Sequence, residues 1–247
     1  MDRLIDVART AMRGTLARQT AISNNLANAN TTGFRAEIYN ASTRWVGGDT
    51  YQSRAESIDQ VIGADMKSGT VTQTGNPLDV AVNGDALIAV QANDGSEAYT
   101  RRGDLRMNDS GLLTTGDGHP VLGEGGPITL PPANKLRIAK DGGIWIVPQG
   151  SQDGLETQVD TIKLTNAKGS SIAKGTDNLF RELNGGALPQ DPMATVIGGS
   201  LEGSNVEATS ALVQMIEASR SWETQVKMID TAKEIDNSGT SLMRLDS

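Results

Sequence analysis

Two helical patterns stand at the ends of this chain, and a glycine-punctuated, strand-patterned stretch fills the middle. An amphipathic helix with nothing to pack against is marginal in water, so such ends must pair with each other or with neighbours. From about Asp2 to Asn28, the positions Ile5, Ala8, Met12, Thr15, Gln19, Ile22, Leu26 and Ala29 recur at alternating steps of three and four. Most are apolar, which predicts a coiled-coil-like seam with polar interruptions at Thr15 and Gln19. Asn30-Thr31-Thr32-Gly33 then stops the helix.

At the other end, Ser204 reads as an N-cap and Glu207, three residues on, completes a capping box. Ala208, Leu212, Met215, Ser219, Trp222, Val226 and Ile229 form the second seam, and Asn237-Ser238-Gly239 is the expected end. A helix of about 30 residues would span roughly 45 Å. Arginines make the first helix net positive, and acids dominate the last, so their charges favour pairing. The large apolar residues of the last seam could gain roughly 1.5–3 kcal/mol each if fully buried. Ordering the backbone costs roughly 1 kcal/mol or more per residue. The helices are therefore expected to be poorly ordered in a monomer and to become ordered on assembly.

The middle carries the opposite texture. Leu78 to Val82 alternates at strand period, Asn83-Gly84 predicts a hairpin turn, and Ala86 to Val90 supplies the returning strand. Asn93-Asp94-Gly95, Asn108-Asp109-Ser110-Gly111, Asp117-Gly118 and Asp141-Gly142-Gly143 continue the punctuation. Thr161 to Leu164 and Asn178 to Leu183 read as the last strands. Between Arg35 and Thr74 the apolar residues show no clear period, beyond a short strand near Thr70 to Gln73. The predicted fold class is α+β, with the terminal α-helices paired as a coiled-coil-like domain around a central antiparallel β domain. The predicted divisions are residues 1–34, an extended connector 35–74, a β-rich domain 75–203 and a C-terminal helix 204–247.

Chemistry is sparse. There is no cysteine, which excludes disulfides and thiolate metal sites, and His119 is the only histidine. It lies in a turn sequence, where a solvated role is expected. The glycine-flanked aspartates lack calcium-loop spacing and read as turn formers. Gly123-Glu124-Gly125-Gly126 fails the dinucleotide spacing. A net charge of −8 and 3% aromatics disfavour nucleic-acid binding. No catalytic, cofactor or metal site is expected. No apolar run reaches membrane-span length, and the charged N-terminus is unlike a signal peptide. Composition alone would suggest a cytoplasmic protein.

Three ordered motifs resemble a known family. Ser23-Asn24-Asn25-Leu26-Ala27-Asn28 with Asn30-Thr31-Thr32-Gly33-Phe34 resembles the N-terminal signature of flagellar rod and hook proteins. Thr74 to Asp85, Tyr99 to Gly103, Gly111 to Thr114 and Val121 to Gly123 are similar to their β domain. Gly199 to Val206, followed by Met215-Ile216 and Arg220 to Glu223, is similar to the C-terminal signature. Ala86-Leu87-Ile88 and Trp222 depart from the usual pattern. Within the family, Met1-Asp2-Arg3, the compact connector and Leu122 to Ile128 resemble the proximal-rod branch, with the distal-rod branch as the alternative.

The resemblance implies a structural subunit in the periplasmic rod of the flagellar basal body. It would stack helically with copies of itself and with inner-proximal and distal rod subunits, and transmit torque from motor to hook. It further implies passage through the flagellar export apparatus, with no nucleic-acid partner. The expected assembly interface comprises Ile5, Ala8, Met12, Ile22, Asn24, Asn25, Leu26, Asn28, Leu212, Met215, Trp222, Val226 and Ile229. The three asparagines carry two readings: turn formers at a fraying helix end, or amides that fix register against neighbouring helices. A secreted β-domain binding module is the alternative class.

Overall fold

The computed structural model describes residues 2–45, 55–150 and 154–245, and the side chains of 8–39, 63–150 and 154–241. In chain order the elements are α1 (Asp2–Ala27), β1 (Glu37–Trp45), β2 (Ala55–Ala64), β3 (Val71–Gln73), β4 (Val80–Val82), β5 (Ala86–Gln91), β6 (Glu97–Thr100), β7 (Leu105–Met107) and β8 (Leu113–Thr115). They continue as β9 (Ala133–Ile138), β10 (Gly143–Pro148), β11 (Thr157–Thr161), β12 (Leu164–Asn166), β13 (Ile172–Lys174), β14 (Phe180–Glu182), β15 (Val196–Gly198), β16 (Ser200–Glu202) and α2 (Ala208–Leu245). The class is α+β: one long helix at each end of a mostly antiparallel β region.

The chain divides into two compact units. One holds Met1–Ala27, Glu37–Gly63 and Glu207–Ser247; the other, Asn28–Ala36 and Ala64–Val206, is called the β unit below. In the first, β1 and β2 form a two-stranded sheet where the sequence shows no period and predicts only an extended connector. Sheets with little periodic signal escape a reading that depends on alternation.

The β unit is a set of small sheets around a main aliphatic core, with a second buried cluster of Leu87, Ala89, Tyr99, Phe180 and Leu188. A five-stranded sheet has the order β12-β5-β6-β14-β13, and a three-stranded one β11-β10-β9. Val90, Leu113, Ile128, Ile144, Ile146 and Ile162 form the centre of the core, each almost wholly buried. Burying each such side chain stabilises by about 1.5–3 kcal/mol. Turn chemistry sets the register. Gly95, at φ 82°, closes the β5–β6 hairpin, whose Gln91 pairs with Glu97, and Asp94 Oδ1 accepts from the Ser96 amide at 2.9 Å.

Several expectations change. The Asn83-Gly84 turn exists, with Gly84 at φ 65°, but it does not join a paired hairpin. β4 pairs with β15, whereas β5 pairs with β6 and β12. A turn sequence reports local reversal and not which sheet receives the next strand. The β region also continues past Leu183: β15 and β16 return to pair with β4 and β3. His119 is buried, not solvated, because its turn folds back on Thr115, whose amide donates to the His119 carbonyl at 2.9 Å.

The last helix also differs at both ends. Its first intrahelical bond runs from the Ala211 amide to the Glu207 carbonyl, so Glu207 occupies the N-cap position. Ser204 Oγ instead accepts from the Val206 amide at 3.2 Å, and the expected capping box is not formed. At the far end, α2 runs through Asn237-Ser238-Gly239 to Leu245. Propensity against glycine, about 1 kcal/mol, does not end a helix whose neighbours continue it.

Candidate assembly site

In the first unit, α1 and α2 are in contact. Gln225 Nε2 donates to Thr15 Oγ1 at 2.9 Å, and Thr15 Oγ1 also donates to the Ala11 carbonyl at 3.0 Å. Arg18 and Glu217 approach to 4.0 Å, an exposed pair worth little. As α1 climbs from 15 to 18, its partner descends from 225 to 217, so the helices run antiparallel.

The faces used differ between the two helices. On α1, Ala8, Thr15 and Ile22 are buried, as the seam expects, with Met12 and Leu26 half-buried. Ile5 lies outside the described side chains. On α2 the buried track is Ala211, Ala218 and Ala232, with half-buried Gln225 completing a strict seven-residue spacing. Small residues let two helix backbones approach closely, and this displaces the large residues of the expected seam. Met215, Trp222 and Ile229 are half-buried at its margins, while Leu212 is 50% and Val226 36% exposed. Val213 and Ile216 are more than half exposed too. At 3.6 residues per turn, Leu212, Val213 and Ile216 lie roughly opposite Ala218. The sequence signal for this face is the repeat of small residues every seven positions, and not the spacing of large apolar ones.

The asparagines anchor a strand. Asn25 uses both ends of its amide on one residue: Nδ2 donates to the Glu37 carbonyl at 3.0 Å, and Oδ1 accepts from the Glu37 amide at 2.7 Å. Asn24 Nδ2 donates to the Glu37 carboxylate. Together they hold the first residue of β1 against the last turn of α1. Asn28 acts as a turn former, its Oδ1 accepting from Thr31 Oγ1 at 3.1 Å.

Within the β unit, the signature segments converge on a buried carboxylate. Glu202 receives Arg35 Nη2 at 2.7 Å on Oε1 and Arg101 Nη2 at 2.8 Å on Oε2, and all three side chains are at most 1% exposed. The Gly69 amide donates to Glu202 Oε1 at 3.0 Å, and the Gly33 amide to the Glu202 carbonyl at 2.7 Å. Arg101 also donates to the carbonyls of Val82, Gly84 and Ala86. Burial pushes the Arg101 guanidinium below its ordinary value, and the Glu202 carboxylate opposes this.

Glycines make room for these contacts. Gly33, at φ 67°, would place a Cβ 2.4 Å from the Arg101 carbonyl carbon, and Gly69 would place one 2.2 Å from the Gly203 oxygen. The triad is not fully satisfied: Arg35 Nε and Nη1 are buried without a hydrogen-bond partner. Each such group costs about 1–3 kcal/mol, so the triad specifies one closure of the fold more than it adds stability. Arg35, Arg101 and Glu202 lie far apart in sequence, so no local motif announces their meeting.

Three family models match the chain in order. Residues 5–35 match the flagella basal body rod protein model. Residues 81–146 match the flagellar hook protein FlgE/F/G D1 domain, and 197–242 the flagellar basal body rod FlgEFG protein C-terminal model. The flagellar basal-body rod protein FlgF of Salmonella typhimurium is 38% identical, covering 99% of this chain and 100% of its own length. The chain belongs to the flagellar basal-body rod protein family. FlgF of Escherichia coli is 40% identical over 97% of this chain and 96% of its own length, and FlgG of Bacillus subtilis 34% identical over 92% and 93%. Among rod proteins it is therefore more similar to these FlgF relatives than to that FlgG. As a rod protein it is a structural subunit of the flagellar basal body and not an enzyme. Each matched segment supplies one member of the buried triad: Arg35, Arg101 and Glu202. Among the described residues, no helix is long and apolar enough to cross a membrane.

Proposed function

We propose that α1 and α2 pair as a coiled-coil-like domain and that this pair is the assembly device of the rod subunit. Supporting the reading is one observation above all. α2 spends its small residues on α1 and keeps Leu212, Val213 and Ile216 half exposed on the opposite side. Apolar residues clustered on one solvent-facing side mark an interaction surface more often than a monomer's ordinary scatter. Neighbouring subunits, whether copies of this chain or other rod proteins, would cover that side. Ile5, Ala8, Met12, Ile22, Asn24, Asn25, Leu26 and Asn28 then support the pair from α1 and its end, and Leu212, Met215, Trp222, Val226 and Ile229 contribute from α2. The polar Thr15–Gln225 contact fixes the register of the two helices, as a single polar pair does in coiled coils.

Likeness to FlgF favours the proximal part of the rod. Its subunits would be delivered by the flagellar export apparatus and would transmit torque through packing stiffness. The divisions 1–34, 35–74, 75–203 and 204–247 are the proposed functional segments, with the termini holding the polymer.

A triple variant, Leu212→Ser with Val213→Ser and Ile216→Ser, tests the reading. Its purified monomer should melt like the unaltered protein, while it should be absent from basal bodies isolated from cells that carry it as the sole copy. Normal incorporation would overturn the assignment of this face.

A further inference from the structure

Asn205 joins three stretches of the β unit that are far apart in sequence. Its Oδ1 accepts from the Ala36 amide at 2.7 Å. Its Nδ2 donates to the carbonyls of Asp65 at 2.8 Å and Lys67 at 3.0 Å. Its backbone amide donates to the Phe34 carbonyl at 3.4 Å. Only a side-chain amide of this length offers one acceptor and two donors at once. Aspartate would lose both donations, and alanine all three side-chain bonds.

The position of this tie separates it from the parts that hold the β unit together. Asn205 is half-buried, outside the aliphatic core around Ile144 and Ile162 and beyond the buried Glu202 carboxylate. What it fixes is the incoming segment, Phe34 to Ala36, beside the outgoing one. Phe34 follows α1 across the turn at 28–33, Ala36 runs on into β1, and Asn205 runs on toward α2. The Gly203 amide, donating to the Thr70 carbonyl at 2.8 Å, and the Gly33 amide on the Glu202 carbonyl lie next to the tie and report on whether it is closed.

We propose that Asn205 is a positioning residue for rod assembly. Its amide clamps Phe34–Ala36 and the outgoing segment of the β unit side by side and so fixes the points at which the chain leaves that unit for β1 and α2, next to the turn that brings it in from α1. The proposal rests on the reading that those helices make the contacts between subunits. It assigns Asn205 an effect on assembly that is out of proportion to its effect on stability.

The test uses the full chain carrying Asn205→Ala and, separately, Asn205→Asp. Three readouts are taken on each: thermal melting, amide hydrogen exchange, and the amount of subunit in basal bodies from cells with the variant as sole copy. Both variants should melt within about 3 °C of the unaltered protein, as expected for a part-exposed tie. Exchange at Gly33 and Gly203 should speed up about tenfold or more, following the loss of two or three part-exposed hydrogen bonds, while Val90 and Ile144 keep their protection. Incorporation should be lost.

Normal incorporation with fast exchange at the tie would overturn the proposal, as would unchanged exchange at Gly33 and Gly203. A collapse of melting in both variants would make Asn205 a stability residue and overturn it as well. The helix-face triple variant separates the two ideas. If that variant incorporates normally while Asn205→Ala does not, the assignment of the Leu212, Val213 and Ile216 face fails, and the clamp stands on the remaining helix contacts. The reverse pattern removes the clamp alone.

Discussion

Replacing Glu202 by glutamine keeps the shape of the side chain and removes its charge, leaving Arg35 and Arg101 buried with no counter-ion. Breaking a buried pair in this way costs about 3–5 kcal/mol. Equilibrium denaturation of Glu202→Gln should show a loss of that size, and an unchanged midpoint would refute the buried triad. Gly33→Ala combines a positive φ with a Cβ overlapping the Arg101 backbone, and it should be still less tolerated than an ordinary glycine substitution.

Tyr99 gives the pH dependence. Burial first, and the Glu97 carboxylate second, push its phenol up from 10.0 to about 12. A raised folded-state value means the contribution is fully present below pH 10 and is lost as pH rises through about 12. Stability should therefore fall between about pH 10 and 12. Tyr99→Phe should lessen that fall, at the cost of leaving the Leu188 amide without the hydroxyl that accepts it.

Among the elements, α2 carries the sharpest contrast between what the sequence displays and what the fold uses. Its existence and its great length follow from pattern and from the lack of proline. Its buried face does not, because hydrophobic periodicity weights large side chains, and here the contact is made by Ala211, Ala218 and Ala232. Ala218→Leu should therefore destabilise the helical pair by about 1–3 kcal/mol through overpacking. Thermal melting followed by circular dichroism checks this; an unaltered midpoint would place the helices farther apart than described.

The β region was legible as a class, since glycine turns and short alternating runs mark it. Its pairing was not. β4 and β5 are separated by a turn sequence yet enter different sheets, and β15 and β16 come back from more than a hundred residues away to pair with β4 and β3. Long-range pairing is decided by the packing of the whole, and local sequence holds no record of it. The same holds for the candidate site: the asparagines stood out, but their partner Glu37, and the meeting of Arg35, Arg101 and Glu202, depend on tertiary closure.

For the molecule as a whole, membership of the rod family means that the folded monomer is not the working state. An interface made of different faces on successive copies can propagate without closing, as a rod requires. A helix pair that leaves Leu212, Val213 and Ile216 half exposed suits that role, since neighbours can supply the missing surface. The most direct measurement is hydrogen exchange across Leu212 to Ile229, compared between dilute monomer and assembled rods. Weak protection in the monomer and strong protection in the rod is the predicted result. Strong protection already in the dilute monomer would contradict it.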